Sequence, residues 1–251
     1  MNEETMAPKE TAGAEISKGQ GHLLALKAAF PHTIPVLTGF LFLGIAFGIL
    51  MNSKGYGAPW AIGMSLFTFA GSMQYVAVNL LTAAFNPLYA FLLTLMVNAR
   101  HLFYGISMLE PFQGMGKKKI YLIFALCDET FSILCSATPP KGVDRGRFML
   151  WVALLDHFYW VLGTALGSLV GAMITFDTTG IDFVMTALFV VIFLNQWQSQ
   201  KNHLPALVGV CTSVACLLVF GPDQFLLPSM ALMAVILCAA RKRLEGGKTT
   251  C

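Results

Sequence analysis

Residues 87–111 read "PLYAFLLTLMVNARHLFYGISMLEP", an apolar run long enough to cross a bilayer as a helix. Arg100 and His101 lie near its middle. An ionised side chain at that depth costs at least about 2.5–3.5 kcal/mol, so such residues are rarely kept without a use. The run therefore predicts a transmembrane helix that contains a functional polar site.

The composition of the whole chain is that of a membrane protein. Of its 251 residues, 56% are hydrophobic and 12% are charged, and the mean hydropathy is +0.69. A typical soluble domain has about 25% charged residues. The net charge of +3 is small, and the basic residues lie mainly at segment ends, which gives no support to nucleic-acid binding. The six cysteines form no CxxC pair, so we predict no disulfide, no metal site and no cofactor.

Eight apolar stretches predict an all-α polytopic membrane protein with about eight transmembrane helices. Residues 1–30 are predicted to form a cytoplasmic tail with a short entry helix, 31–240 the transmembrane domain, and 241–251 a second cytoplasmic tail. Several stretches are slightly shorter than the ~20 residues that cross a bilayer. The stretches are 32–51, 58–84, 87–109, 119–138, 148–174, 181–199, 203–220 and 225–240.

The distribution of basic residues orients this topology. With eight crossings, eleven Lys and Arg residues lie in inner segments and four in outer loops, which favours both termini in the cytoplasm and a location in the cell inner membrane. The cluster Lys117–Lys119 falls on the outer side and is the strongest evidence against eight crossings. A seven-crossing alternative would place Arg241–Arg243 outside, which fits the rule less well.

Glycines indicate an internal repeat. A shift of about 123 residues lays residues 44–57 on 167–180, so that Gly44, Gly48 and Gly57 fall on Gly167, Gly171 and Gly180. The repeat would give two four-helix halves in parallel orientation. Close helix packing is the alternative explanation, because the same glycines have GxxxG spacing.

Polar residues interrupt the second, third and fourth stretches. In the third, Asn98 and His101 share one helical face, and Arg100 is about ten residues from either end, a long reach for a side chain that snorkels. In the fourth, Asp128 and Glu129 are adjacent. We expect Arg100 to pair with one of these acids and to leave the other free to titrate. A purely structural ion pair is the alternative, and it explains only one acid.

The second stretch contains "TFAGSMQYVAVN". Gly71 and Ser72 are expected to break the helix and to expose N–H groups that favour a carboxylate, with Gln74 nearby. The alternative is a packing glycine, with Gln74 bonded to a neighbouring helix. Asp156 and His157, about two turns into the fifth stretch, are predicted to lie at the membrane interface rather than in a site.

These motifs resemble one known family. "FAGSMQYVAV", "MVNARHLFYGISM" and "ALCDETFSI", followed by "YWVLGTALGSLVG", are similar to the AzlC family of branched-chain amino acid exporters, over about Gly39 to Trp197. The resemblance implies proton-driven export of valine, isoleucine, leucine and, in some members, methionine, together with a small AzlD-type membrane subunit. It implies substrate-binding or coupling roles for Gly71, Ser72, Gln74, Asn98, Arg100, His101, Asp128 and Glu129. Asp156 and His157 depart from the family pattern.

These residue types suit a zwitterionic amino acid. Its carboxylate needs a cation or a helix N-terminus, its ammonium an acceptor, and its side chain an apolar cavity. An ion channel is the main alternative, and it would need a continuous wet pore. An intramembrane enzyme has less support, because the sequence has no GxSxG or HExxH motif.

Overall fold

The computed structural model describes residues 18–84, 86–173, 182–199, 203–221 and 225–244. In these ranges all regular structure is helical, which confirms the predicted all-α class. Much of the predicted tails, residues 1–17 and 245–251, lies outside the described residues. The helices are α1 (Lys18–Ser53), α2 (Ala58–Phe67), α3 (Gly71–Thr82), α4 (Pro87–Val97), α5 (Ala99–Ser107), α6 (Lys118–Phe124), α7 (Asp128–Ser136), α8 (Arg145–Met173), α9 (Asp182–Ser199), α10 (Leu204–Phe220) and α11 (Leu226–Leu244).

The two longest helices, α1 and α8, form the centre of the fold. They are the two described helices that are long and apolar enough to cross a membrane by length and composition. α1 continues through Pro31 and Pro35, so the predicted boundary between an entry helix and the first crossing falls inside one helix.

Small residues allow α1 and α8 to pack at very short range. A Cβ atom on Gly44 would lie 2.9 Å from the backbone oxygen of Trp160 and the backbone nitrogen of Thr164. A Cβ atom on Gly167 would overlap the backbone of Ile45. The packing explanation of these glycines therefore describes the observed contact, which only residues without a side chain permit.

α1 and α8 run in the same direction. Gly21 lies against the side chain of Arg147, near the start of each helix. Near the other end, Asn52 Nδ2 donates a hydrogen bond to the Ser168 carbonyl oxygen at 2.7 Å. We call the end at which both helices start the near end, and the opposite one the far end. Parallel helices require an odd number of crossings between them.

The second apolar stretch does not cross. Tyr56, just before α2, donates its hydroxyl to the carbonyl oxygen of Leu81 at the end of α3, at 2.8 Å. A straight helix would separate these two residues by about 37 Å. Gln74 of α3 also reaches Ser65 of α2, at 3.1 Å. Helices α2 and α3, with residues 68–70 between them, therefore form a re-entrant hairpin from the far end, here called the first hairpin.

The fourth stretch forms a second hairpin, from the near end. Lys118 at the start of α6 pairs with Asp144, directly before α8, at 3.8 Å. α7 ends at Ser136, and the eight residues that join it to α8 include a turn in which Val143 N donates to Pro140 O at 3.1 Å. Eight residues reach about 26–29 Å only when fully extended, so a linker that contains this turn cannot span the ~27 Å length of a straight 118–136 helix.

One crossing therefore lies between α1 and α8. It consists of α4 and α5, which meet at Asn98 and run from the far end to the near end. The predicted eight-crossing topology differs from the structure in its second and fourth stretches. The correction moves Lys117–Lys119 to the near end, beside Asp144, and so removes the misfit noted for this cluster.

The two hairpins are related by position. α2 ends 57 residues before α6 ends, and α3 begins 57 residues before α7 begins. The hairpins enter from opposite ends, so this relation is inverted rather than parallel. The predicted parallel repeat would require a break in residues 193–198, but α9 is continuous there. Gly180, which the same repeat includes, lies outside the described residues.

Candidate functional site

Three helices begin at the centre of the molecule, where the two hairpins meet. α3 begins at Gly71, α5 at Ala99 and α7 at Asp128. The N-cap residues Ala70 and Cys127 make no side-chain cap hydrogen bond to the backbone N–H groups of α3 and α7, although Cys127 Sγ lies 3.2 Å from Thr130 Oγ1 of α7. First-turn N–H groups without a cap carry partial positive charge and bind anions readily. The predicted helix break before Gly71 is present, and the breaks at Asn98 and at residues 125–127 were not predicted.

Arg100 joins the two hairpins. Its Nη1 donates to Asp128 Oδ2 in a short ion pair, and its Nη2 donates to Ser72 Oγ at 2.6 Å. The expected pairing of Arg100 with an acid of the fourth stretch is therefore present, and the acid is Asp128. The side chains of Arg100 and Asp128 are 33% and 29% exposed, so the pair faces a cavity rather than a sealed core.

This cavity, the central pocket, has an empty volume of about 540 Å³ including its open mouth. Its apolar wall is formed by Phe40, Leu43, Phe69 and Trp160. Its polar side is formed by Gly71, Ser72, Arg100, His101, Asp128 and Glu129, together with Ala70 and Cys127.

Several polar groups of the pocket lack partners. Arg100 Nε and Asp128 Oδ1 are buried and have no hydrogen bond within the described part of the chain. Among the same residues, no Lys or Arg lies within salt-bridge distance of Glu129. A free donor on Arg100 and a free acceptor on Asp128 can be satisfied by a ligand that carries both charges.

Gln74, a predicted site residue, lies outside the pocket. It is fully buried, its Nε2 donates to Ser65 Oγ, and its Oε1 accepts from Trp160 Nε1 at 2.8 Å. Ser65 in turn bonds Thr164 at 2.8 Å. Gln74 therefore fixes the Trp160 ring that forms the pocket wall, which agrees with the alternative that it bonds a neighbouring helix.

A larger cavity, here called the vestibule, adjoins the pocket on the near-end side. Its empty volume is about 1260 Å³ including its open mouth, and it extends to Phe112 and Lys119. Asn98, another predicted site residue, lines the vestibule and not the pocket. Phe69, Ala70 and His101 line both cavities and therefore lie at their boundary.

Phe69 has an unusual backbone. Its φ of 40° is in the left-handed region, which non-glycine residues rarely adopt, and its ring lies 4.5 Å from the ring of His157. Such residues persist where the surrounding packing holds them. No signal in the sequence pointed to Phe69, since a phenylalanine in an apolar stretch is expected in any membrane helix.

The sequence predicted that Asp156 and His157 lie at the membrane interface, but the structure places them deep inside the protein. Asp156 is fully buried and His157 is 7% exposed. The helix begins at Arg145 rather than at residue 148, which places Asp156 about three turns inside it. Asp156 and His157 face the turns of both hairpins because the hairpins are re-entrant. Counting helical turns along this one segment could not predict these contacts.

Comparisons with known proteins relate this chain to one family. A family model described as AzlC protein matches residues 35–174. The branched-chain amino acid transport protein AzlC of Bacillus subtilis is 56% identical over 88% of this chain and 87% of its own length. An uncharacterized membrane protein of Haemophilus influenzae is 44% identical over 88% of this chain and 91% of its own. The inner membrane protein YgaZ of Escherichia coli is 26% identical over 82% and 84%.

No solved structure matches the chain. The residues that the family model matches contain both hairpins, the crossing with Arg100, and all of α8. The relatives are named as membrane or transport proteins, in agreement with the apolar helices. On this evidence the chain is a membrane protein that belongs to the AzlC family.

Proposed function

We propose that this protein exports branched-chain amino acids, namely valine, isoleucine and leucine, with methionine as a further substrate, across the bacterial inner membrane. The observation that carries the proposal is the central pocket, which combines two uncapped helix N-termini, a cation, two acids and an apolar wall. The name of the Bacillus subtilis relative supports the substrate class. The same name favours transport over catalysis.

The pocket suggests how a zwitterion binds. Its carboxylate would accept from the first-turn N–H groups of α3 and from Arg100 Nε, which has no partner. Its ammonium would donate to Glu129 and to the free Asp128 Oδ1. Its aliphatic side chain would pack against Phe40 and Trp160. No polar group on the apolar wall distinguishes a branched side chain from an unbranched one. The preference among apolar amino acids would therefore depend on the shape of that wall.

The orientation follows from the corrected topology. Between Lys18 and Met173, eight Lys and Arg residues lie in the near-end half, Lys54 lies at the far end, and Arg100 lies between them. The positive-inside rule then supports a cytoplasmic near end. The vestibule opens toward that end, so a substrate for export would enter there and reach the pocket past Phe69.

Charge balance supports proton coupling. With a proton on Glu129 and a neutral His101, Arg100 and Asp128 cancel and the pocket is neutral, which matches a zwitterion. Without that proton the pocket carries one excess negative charge. A change of one proton on Glu129 would therefore alter how well the pocket holds the substrate, as coupling requires. His101, at the boundary of both cavities, is the other titratable candidate.

A small AzlD-type subunit is part of the proposal. Non-helical backbone at membrane depth is tolerated only where protein covers it or where it lines a water-filled cavity. Next to the break at residues 68–70, Phe67 is 78% exposed, and next to the break at 125–127, Ile123 is 56% exposed. A second membrane protein would cover these positions.

The test is counterflow in proteoliposomes. The chain is reconstituted with and without the small subunit, and uptake of labelled valine, isoleucine, leucine and methionine is measured against an internal excess of unlabelled amino acid. Saturable counterflow is expected, and it should be faster with the subunit. Flux that does not saturate would favour a channel, and equal rates without the subunit would remove the partner from the proposal.

A further inference from the structure

A third acid lies deeper than the central pocket. Asp156 of α8 is fully buried. Its Oδ2 accepts a hydrogen bond from Thr130 Oγ1 of α7 at 2.9 Å. Its Oδ1 is buried and has no hydrogen-bond partner in the described residues. A buried oxygen without a partner requires an explanation, because nearly all such atoms in folded proteins are satisfied.

No cation compensates Asp156. The titratable groups that interact electrostatically with Asp156 are Glu129, Cys127, Tyr121 and Tyr159, and none of them is basic. Within the described ranges no Lys or Arg lies within salt-bridge distance of it. An ionised carboxylate in such a place is expensive, whereas a neutral acid needs no counter-ion.

The adjacent His157 makes two hydrogen bonds that a neutral imidazole satisfies in full. Its Nε2 lies 3.2 Å from the Ser65 carbonyl oxygen, which can only accept, so Nε2 carries a proton. Its Nδ1 lies 2.8 Å from the Tyr121 hydroxyl, which can then donate. Both ring nitrogens are satisfied in this tautomer. His157 thus links the first hairpin to the second. Of the pair, Asp156 is the titratable residue that has an atom without a hydrogen-bond partner in the described residues.

Side chains connect Asp156 with the central pocket. Thr130 Oγ1, which bonds Asp156, lies 3.2 Å from Cys127 Sγ. Cys127 lines the pocket together with Glu129, which is two residues further along the chain. The groups form the series Glu129, Cys127, Thr130, Asp156. All but Asp156 lie on α7 or at its N-cap, so a movement of the second hairpin would break the series at Thr130.

We propose that Asp156 is a second proton-carrying carboxyl of the transporter, which exchanges its proton with the central pocket through Thr130 and Cys127. In the transfer, Asp156 Oδ2 receives the hydroxyl proton of Thr130, Thr130 receives the thiol proton of Cys127, and Cys127 receives a proton from Glu129. Each intermediate group gives one proton and gains one, and nothing is oxidised or reduced. This inference rests on the proposed function, since it concerns how transport is coupled.

Asp156→Asn is the principal test, because it keeps the side-chain shape and the hydrogen bond from Thr130 but cannot take up a proton. Wild-type and variant proteins are reconstituted, and counterflow at equal pH is measured beside accumulation driven by a pH gradient. We expect counterflow to continue and pH-driven accumulation to fall to the level of protein-free vesicles. A role in packing alone would impair both modes together.

A second pair of variants decides the matter if Asp156→Asn does not reach the membrane. Thr130→Val has the shape of threonine but interrupts the series, whereas Thr130→Ser keeps the hydroxyl. We expect pH-driven accumulation to be lost in the first variant and retained in the second, with counterflow in both. Normal pH-driven accumulation in Thr130→Val would overturn the proposal.

Other outcomes separate this inference from the proposed function. If wild-type vesicles exchange amino acids and Asp156→Asn still accumulates them against a gradient, Asp156 carries no coupling proton. Loss of both modes in a folded Asp156→Asn protein would also overturn the inference. If the wild-type protein exchanges no amino acid at all, the proposed function itself is wrong.

Discussion

Replacement of Arg100 by alanine tests the arrangement of the site most directly. The guanidinium makes two hydrogen bonds, one to Asp128 and one to Ser72. Hydrogen bonds to charged groups contribute about 1.5–3 kcal/mol each. The low end of that range applies here, since the Arg100 and Asp128 side chains are 33% and 29% exposed. The change therefore removes about 3 kcal/mol of interaction, which corresponds to roughly a hundredfold in transport rate if the same contacts hold the loaded site.

Arg100→Lys should restore only part of this loss. A lysine ammonium is a point charge and cannot repeat the two-pronged geometry of the guanidinium. It can approach Asp128 or Ser72 but not both in the observed geometry. We expect about half of the interaction to return, which leaves transport roughly tenfold below wild type.

Counterflow and pH-driven transport of labelled leucine are the assays, with protein amount in the membrane measured in parallel. Arg147→Ala is the matched control, because Arg147 lies 3.9 Å from Asp144 outside the pocket. It should transport normally. The double variant Arg100→Gln with Asp128→Asn removes both charges, so it should fold better than Arg100→Ala while remaining inactive. If Arg100→Ala retains normal uphill export, Arg100 is an anchor and the proposed role of the pocket is wrong.

Other parts of the structure give further predictions. Gly167→Ala should lower the free energy of unfolding by at least about 1–3 kcal/mol, because the added methyl group overpacks the contact with Ile45. Gly105→Ala should be tolerated in the same thermal-unfolding measurements, because nothing lies within 4 Å of the position of its Cβ atom. Asp128→Asn should lower expression because it leaves Arg100 without its carboxylate, while Glu129→Gln should fold, exchange substrate and lose only pH-driven export. Single cysteines at Lys117 and in residues 139–147 should label from the same side of the membrane; labelling from opposite sides would refute the second hairpin.

Sequence reasoning could find the residues of the site but not the path of the chain between them. Arg100, Asp128 and Ser72 are visible because charged or polar groups in apolar stretches stand out against their surroundings. Hydropathy does not show the direction in which the chain runs. The 27 residues of the second apolar stretch, 58–84, therefore fit one crossing helix as well as two short helices that turn back. One observation did contain the answer. Lys117–Lys119 fell on the wrong side of an eight-crossing topology, and the second hairpin is the change that moves them.

The inverted hairpins explain why the polar residues lie in separate motifs. Each hairpin turn holds a helix N-terminus at mid-depth, and the turns approach α8 at the same level, where Phe69 lies against His157 and Thr130 bonds Asp156. Arg100 lies on the crossing between them and bonds one residue of each hairpin, Ser72 and Asp128. In the proposed function, a substrate carboxylate bound at Arg100 Nε would be held by the same side chain that connects the two hairpins. Loading of the pocket would therefore be coupled to the position of one hairpin relative to the other, which is the change that would expose a central site to each side in turn.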